Sequence, residues 1–359
     1  MPSLREKIAQ MFVVGVSAQE LTVEERRALG QYSFGGFILF SHNCSDPAQI
    51  LSLTRALWDT GKSLPPFIAI DQEGGRVHRL PTPFLHVPPA ARQGETGNPG
   101  LAYKAARATA EELAAVGINL NFAPVLDVAS NPNNPVIGDR SFASDPQKVS
   151  EFGARWIQGL RDGGIIPCGK HFPGHGDTEK DSHLDLPVVD RGRNELRKVE
   201  LPPFLAACRN EIESLMTAHV IYRALDPELP ATLSHTIVTG LLRGELNYPG
   251  VVFSDDMEMK AISEHYGMEE AVLLAVRAGI DVMLFGHELP RAIRAFDFLC
   301  SMFQKDATIR AQVKNSHNRI TKLKQNFLTG FKGVSADQLE QRLRLWNHQR
   351  IVDEIQGNL

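Results

Sequence analysis

The sequence predicts an α/β fold of the (β/α)8 type, a TIM-like barrel forming one domain with extra helices at its C-terminal end. Three observations predict it. Eight short apolar runs alternate with amphipathic helical windows along the chain. Several windows open on a capping residue followed by proline. Polar, chemistry-bearing residues gather where the apolar runs end, as strand ends do on the catalytic face of a barrel. A doubly wound open sheet also alternates strands and helices. No Gly-x-Gly-x-x-Gly fingerprint or Walker loop supports its nucleotide-binding versions.

The eight predicted strands are Met11–Gly15, Gly36–Phe40, Phe67–Ile70, Asn119–Ala123, Ile165–Gly169, Ser214–Ala218, Val251–Ser254 and Asp281–Phe285, the first and sixth being the weakest. Asp46-Pro47, Asn98-Pro99 and Asp145-Pro146 each place an N-cap before a proline at the first helical position. Val149, Phe152, Gly153, Trp156, Ile157 and Leu160 recur at helical spacing before Gly163. Met268, Ala271, Val272, Ala275 and Val276 do the same before Gly279. Beyond the eighth strand, Ile309, Val313, Ile320, Leu323 and Phe327 predict one helix. Gly330 and Gly333 break the chain. Ser335 with Gln338 then predicts a capping box opening a single last helix through Leu339, Leu343, Trp346 and Ile351. The expected division is a barrel over 1–330 and a helical extension over 331–359, packed across the barrel or between subunits. There is no internal repeat or low-complexity segment.

Composition bounds the function. Hydrophobic residues make up 43% of the 359 and charged residues 22%, enough to build a large core. The formal charge of −4 argues against nucleic acid or a polybasic membrane contact. No run approaches the length of a membrane span. The N-terminal MPSLREKIAQMFVVGV carries charges early and a short apolar run, which does not read as a secretory signal. With Met1 as the natural start, the expected location is the cytoplasm. Cys44, Cys168, Cys208 and Cys300 are scattered, which predicts reduced thiols and no zinc site.

Four polar clusters follow strand ends. The third strand runs into Asp71-Gln72-Glu73-Gly74-Gly75-Arg76, with Arg79 behind. The fifth runs into Lys170-His171 and a loop reaching His183. The sixth ends at His219, and the seventh at Asp255-Asp256. The loop after the fourth carries Asp127, Asp139 and Arg140. Each has a plain structural reading. Asp255 and, more so, Asp256 suit helix N-caps. Glu73 and Arg76 suit a local pair. Arg140 suits a salt bridge to Asp139 or another loop carboxylate. His219 suits a buried, hydrogen-bonded histidine, and His42, His78 and His86 suit ordinary loops. The fifth loop is richer. His171, His175, Asp177, Asp181 and His183 are all metal-ligand types. Lys170 beside them and the lack of a His-x-x-x-His helix argue instead for a glycine-hinged loop delivering an Asp181–His183 dyad. A carboxylate on an imidazole fixes its tautomer and raises its basicity, which suits a proton shuttle.

These residues resemble the glycoside hydrolase family 3 β-N-acetylglucosaminidases, the single-domain bacterial enzymes of peptidoglycan recycling. The motifs are IDQEGGRV (Ile70 to Val77), KHFPGHGDTEKDSH (Lys170 to His183) and FSDDMEM (Phe253 to Met259), with similarity from about Leu4 to about residue 325. The resemblance implies that Asp255 is the nucleophile and that His183, held by Asp181, is the general acid/base. It implies that Asp71, Arg79, Arg140, Lys170 and His171 bind the non-reducing-end sugar, with Lys170 and His171 adding donors. It implies no metal and no cofactor. Larger family members take an acid/base glutamate from a second domain; the 29 residues after Gly330 are too few for one, which favours N-acetylglucosamine over glucose. The expected reaction is exo-acting, retaining hydrolysis through a covalent glycosyl-enzyme, on cytosolic GlcNAc-1,6-anhydroMurNAc with or without peptide. The expected protein is a monomer. An imidazole in place of a second carboxylate also lets phosphate approach, so phosphorolysis is the alternative. A catalytically silent sugar-binding barrel is the alternative from another class.

Overall fold

The computed structural model describes residues 3–178, 186–331, 334–345 and 348–357. Eight parallel strands close into a barrel: β1 (Phe12–Gly15), β2 (Gly36–Leu39), β3 (Phe67–Ile70), β4 (Leu120–Asn121), β5 (Ile166–Phe172), β7 (Ser214–Thr217), β9 (Val251–Asp256) and β10 (Val282–Phe285). Each strand pairs with its neighbours in chain order, and β10 returns to β1. All eight predicted strands are present. Because every strand is parallel, all C-terminal ends share one rim.

Several boundaries move. β5 runs on through Lys170 and His171 to Phe172, and β9 through Asp255 and Asp256. Polar side chains continue a strand here because each finds a partner on the rim. β4 shrinks to two residues. Pro124 has no N–H to donate, so the chain beyond is held by single bonds such as Lys170 N–H to Pro124 O at 3.1 Å. A second, two-stranded parallel sheet joins β6 (Val188–Val189) to β8 (Ile221–Tyr222), which the sequence reading omits. Both strands are too short to show periodicity.

The predicted caps are in place. Asp46 accepts from the amides of Ala48 and Gln49, Asn98 from Gly100, and Asp145 from Gln147. Helix Met268–Ala278 ends on Gly279 in the left-handed region. Inside the barrel, Phe253 of β9 packs edge-on against Phe67 of β3 and Phe122 beyond β4, with centroids 5.8 and 5.5 Å away. β9 neighbours neither β3 nor β4, so its ring crosses the barrel and fills the interior. Helix Ala307–Leu328 closes the N-terminal end. There the buried Lys324 Nζ donates to Gln10 Oε1 at 2.7 Å and Gly35 O at 2.6 Å.

The tail contains two helices, Ala336–Leu345 and Gln349–Gln356, where one is predicted; Trp346 and Gly333 lie outside the described residues. The Ser335–Gln338 box forms, with Ser335 N–H donating to Gln338 Oε1 at 2.9 Å. The tail packs on the outer helices of the barrel: His348 Nδ1 lies 3.0 Å from Glu112 Oε1, and Lys104 Nζ 3.1 Å from Glu354 Oε2. No helix among the described residues is long and apolar enough to cross a membrane.

Candidate active site

The C-terminal rim holds a charge-balanced cluster. Lys170 Nζ lies 2.6 Å from Asp71 Oδ1 and 2.6 Å from Glu73 Oε1. Arg140 Nε and Nη2 each meet a Glu73 oxygen at 2.9 Å. Lys170, Glu73 and Arg140 are almost wholly enclosed, and Asp71 is the more open member with 16% of its side chain exposed. Burial alone raises the Glu73 pKa, but the Arg140 and Lys170 cations outweigh it and hold the carboxyl well below the usual range. Burial likewise works against the Lys170 charge, and Asp71 and Glu73 more than restore it. The Glu73 and Lys170 charges are thus held by their partners, and the cluster is preorganised, with Asp71 its most exposed member.

Local sequence explains the cluster. The turn after β3 is organised by Gln72. Its backbone amide donates to Asn121 Oδ1 at 2.9 Å, its side-chain amide to His78 Nδ1 at 2.7 Å, and its Oε1 accepts from Arg79 N–H at 2.9 Å. Gly74 has φ 99°, and a Cβ there would stand 2.7 Å from Val87 O, so the turn requires glycine. The local Glu73–Arg76 pair expected from sequence does not form. Arg76 reaches across to Asp139 at 3.0 Å, and Arg140 takes Glu73 in place of Asp139. The turn splays neighbouring side chains apart, and the loop after β4 supplies the partners.

A second network joins that loop to β5. Asp127, fully buried, accepts from His171 Nδ1 at 2.7 Å, from His171 N–H at 3.1 Å and from His175 N–H at 2.7 Å. Burial raises its pKa, and the His171 imidazole with its hydrogen bond brings it net below the usual value. Asn134 ties the loops together, donating to His175 O at 2.8 Å and Gly176 O at 3.0 Å and accepting from Val136 and Ile137 amides at 2.8 Å each. A Cβ on Gly176 would sit 1.6 Å from Val128 O, so the loops close only over glycine. Below them Glu200 is enclosed, takes a hydrogen bond from Ser130 Oγ at 2.8 Å, and is pushed up to about 7 by burial.

At the end of β9, the Asp256 amide donates to Asp255 Oδ1 at 2.8 Å. Asp256 points away into backbone: its Oδ1 accepts from Glu258 N–H at 2.9 Å and Gly286 N–H at 3.3 Å, and burial pushes it up to about 7. It is not the N-cap expected of it: the helix that follows, Lys260–Ser263, starts after Met259, and Asp256 holds the turn before it. His219 is buried between Thr232 Oγ1 at 2.8 Å and Asp256 O at 2.9 Å, as its plain reading has it. His78 and His86 stack at 4.2 Å.

Asp71, Arg140, Lys170 and His171 therefore converge. Arg79 follows the same turn, with its buried Nε lacking a hydrogen-bond partner. Asp181 and His183 lie outside the described residues, so the dyad has no geometry to report. Among the described residues, no group of three or more His, Cys, Asp or Glu is arranged to hold a metal ion. Sequence reasoning missed Glu73 as the shared partner of two cations, Asp127 as the partner of His171, and Asn134 as the loop tie. The signal for Glu73 and Asp127 was their place after strand ends; nothing in the sequence marked Asn134.

The sequence pattern of the glycosyl hydrolase family 3 N-terminal domain matches residues 3–323. A beta-hexosaminidase A of Pseudoalteromonas piscicida is 41% identical over 295 residues, which is 76% of this chain; the chain spans about half of that relative, 48%. A solved family 3 beta-N-acetylglucosaminidase from Paenibacillus sp. str. FPU-7 superposes with TM-score 0.90 at 37% identity, covering 99% of this chain and 68% of that one. NagZ from Neisseria gonorrhoeae, solved with N-trifluoroacetyl-D-glucosamine, gives TM-score 0.80 at 30% identity over 97% of each chain.

Proposed function

This chain belongs to glycosyl hydrolase family 3, and from that premise we propose that it is an exo-acting, retaining β-N-acetylglucosaminidase. The observation that carries the reading is the enclosed Asp71–Lys170–Glu73–Arg140 cluster on the same rim to which β9 brings Asp255. Buried cations and carboxylates held at fixed spacing suit a polyhydroxylated ring. A carboxylate at another strand end of the same rim suits attack on its anomeric carbon. The printed names of the relatives point to N-acetylhexosamines as the sugar class.

In this reading the Asp255 carboxylate attacks the anomeric carbon while protonated His183, backed by Asp181, gives its proton to the departing glycosidic oxygen. A glycosyl ester on Asp255 results. Neutral His183 then takes a proton from water as that water attacks the anomeric carbon. The sugar leaves with its β configuration and Asp255 is regenerated as a carboxylate. Asp71, Arg79, Arg140, Lys170 and His171 hold the ring. The substrate is a cytoplasmic peptidoglycan fragment, GlcNAc-1,6-anhydroMurNAc with or without peptide.

Incubating purified protein with 4-nitrophenyl N-acetyl-β-glucosaminide, with and without phosphate, tests this. Release of free N-acetylglucosamine in both arms is expected. N-acetylglucosamine 1-phosphate as the product would establish a phosphorylase. Sugar binding without turnover would establish a silent barrel.

A further inference from the structure

The rim is crowded with hydrogen-bond donors. Lys170 and Arg140 present only N–H groups, and Glu73 spends both its oxygens on them. Asp71 Oδ1 is engaged by Lys170. A sugar hydroxyl must donate as well as accept, so a ring seated here needs acceptors that the cations do not supply.

We infer that Asp127 is a positioning residue: it holds His171 in the Nδ1–H tautomer and thereby makes His171 Nε2 an acceptor for a sugar hydroxyl. The inference rests on the glycosidase reading above for the identity of the hydroxyl's owner. For the neutral imidazole the tautomer follows from Asp127. The His171 and His175 backbone amides already point at its oxygens, which makes the carboxylate the acceptor, so the 2.7 Å contact to Nδ1 carries the imidazole's proton. Among the described residues the ring's hydrogen bond is the one from Nδ1 to Asp127, and 7% of the His171 side chain is exposed. In that neutral tautomer Nε2 is a lone pair. This reverses the donor role that the resemblance implied for His171.

The geometry also predicts what Asp127→Asn would do. His175 N–H, at 2.7 Å, pins Oδ1, and His171 N–H lies 3.1 Å from the same atom. An asparagine satisfies both amides only by keeping its oxygen there. Its NH2 then replaces Oδ2 opposite Nδ1, 2.7 Å away in the wild type. An NH2 must meet a lone pair, so the imidazole switches to the Nε2–H form. The same exchange in a serine-protease triad produces a wrong tautomer with the geometry kept.

The experiment reads imidazole nitrogen shifts by NMR on the unliganded full chain in mildly alkaline buffer, assigning His171 by its loss in His171→Gln. The expected result is a protonated Nδ1 and an unprotonated Nε2 in the wild type, reversed in Asp127→Asn. The second arm measures binding of N-acetylglucosamine and its 3-, 4- and 6-deoxyfluoro analogues. Fluorine accepts weakly and never donates. One analogue should bind the wild type about tenfold more weakly than the parent sugar, and that penalty should shrink in Asp127→Asn. A protonated Nε2 in the wild type overturns the inference, as do equal affinities for all analogues or a penalty unchanged by a switched tautomer. If Asp127→Asn does not fold, the wild-type shifts and the wild-type analogue series still decide. If no N-acetylglucosamine binds while the tautomer is as stated, the glycosidase reading and the acceptor role fall, and Asp127's hold on the imidazole stands.

Discussion

Glu73 grips Arg140 with both carboxylate oxygens, each bond 2.9 Å long, across 67 residues of sequence. The same carboxylate meets Lys170 at 2.6 Å, so one buried anion orients two cations, one from strand β5 and one from the loop after β4. Removing that anion leaves the enclosed Arg140 without its carboxylate and Lys170 with Asp71 alone. Breaking such a buried pair costs about 3–5 kcal/mol. Glu73→Ala should lower the urea midpoint accordingly. Glu73→Gln, which keeps the shape, should lose less stability but raise KM for aryl N-acetylglucosaminides about tenfold or more as Lys170 and Arg140 lose their common anchor. A Glu73→Gln enzyme with unchanged KM would show that the cations are held without it.

Asp255 and Asp256 are adjacent, yet they have different surroundings. Asp256 is committed to the Glu258 and Gly286 amides and is held near neutral by burial. Asp255→Ala should cut kcat by about 10³-fold or more with the fold retained. Mass spectrometry after a slow fluorosugar substrate should find the label on Asp255; a label on Asp256 would reassign the nucleophile.

His183→Ala separates proton donation from everything else. General acid help is worth about 10²–10⁴-fold, and mostly to poor leaving groups. Glycosylation by sugar leaving groups should collapse, while nitrophenyl substrates glycosylate at a much smaller loss. The intermediate should then accumulate, and azide should release it as a β-glycosyl azide. Asp181→Ala should follow the same pattern less deeply. Equal slowing of good and poor leaving groups would remove His183 from the role.

Glu200 gives a pH signature. Burial raises its pKa from the ordinary glutamate value of 4.5 to about 7. The folded state therefore holds this proton more tightly than the unfolded chain does. Stability from this group is full below about 4.5 and falls as pH rises through about 7, by on the order of 3 kcal/mol. Glu73 and Asp127, with lowered pKa values, act in the opposite sense and only at lower pH, where falling pH protonates them. Between pH ~5 and ~8 the wild-type urea midpoint should drop more than that of Glu200→Gln. Parallel profiles would show that Glu200 ionises normally.

Metal dependence has a direct check. Lys170 stands beside the ligand-type residues and is paired with two carboxylates, which leaves a cation in the place a metal would compete for. Dialysis against EDTA should leave turnover unchanged. Activity lost and then restored by zinc or manganese would reopen the metal reading of the loop.

The barrel is legible in the sequence because its signals are local. Each strand is a short apolar run, and three of the long helices carry their own caps in Asp46, Asn98 and Asp145. The strand ends marked the rim, and with them Asp71, Arg140, Lys170, His171 and Asp255. What failed were elements too short to carry a period, such as β6 and β8, and the split of the tail into two helices.

The sequence by itself determined the strand count, the helix starts and the set of polar residues at the rim, because those depend on periodicity and on interactions within a few residues. Only the tertiary structure decided who pairs with whom. Glu73 takes Arg140 and Lys170 in preference to nearby Arg76, and Asp127 takes His171 across 44 residues. Pairing of buried charges is set by which loops the closed barrel brings within about 3 Å, where enclosure makes each match strong and each mismatch costly. No spacing along the chain encodes that distance.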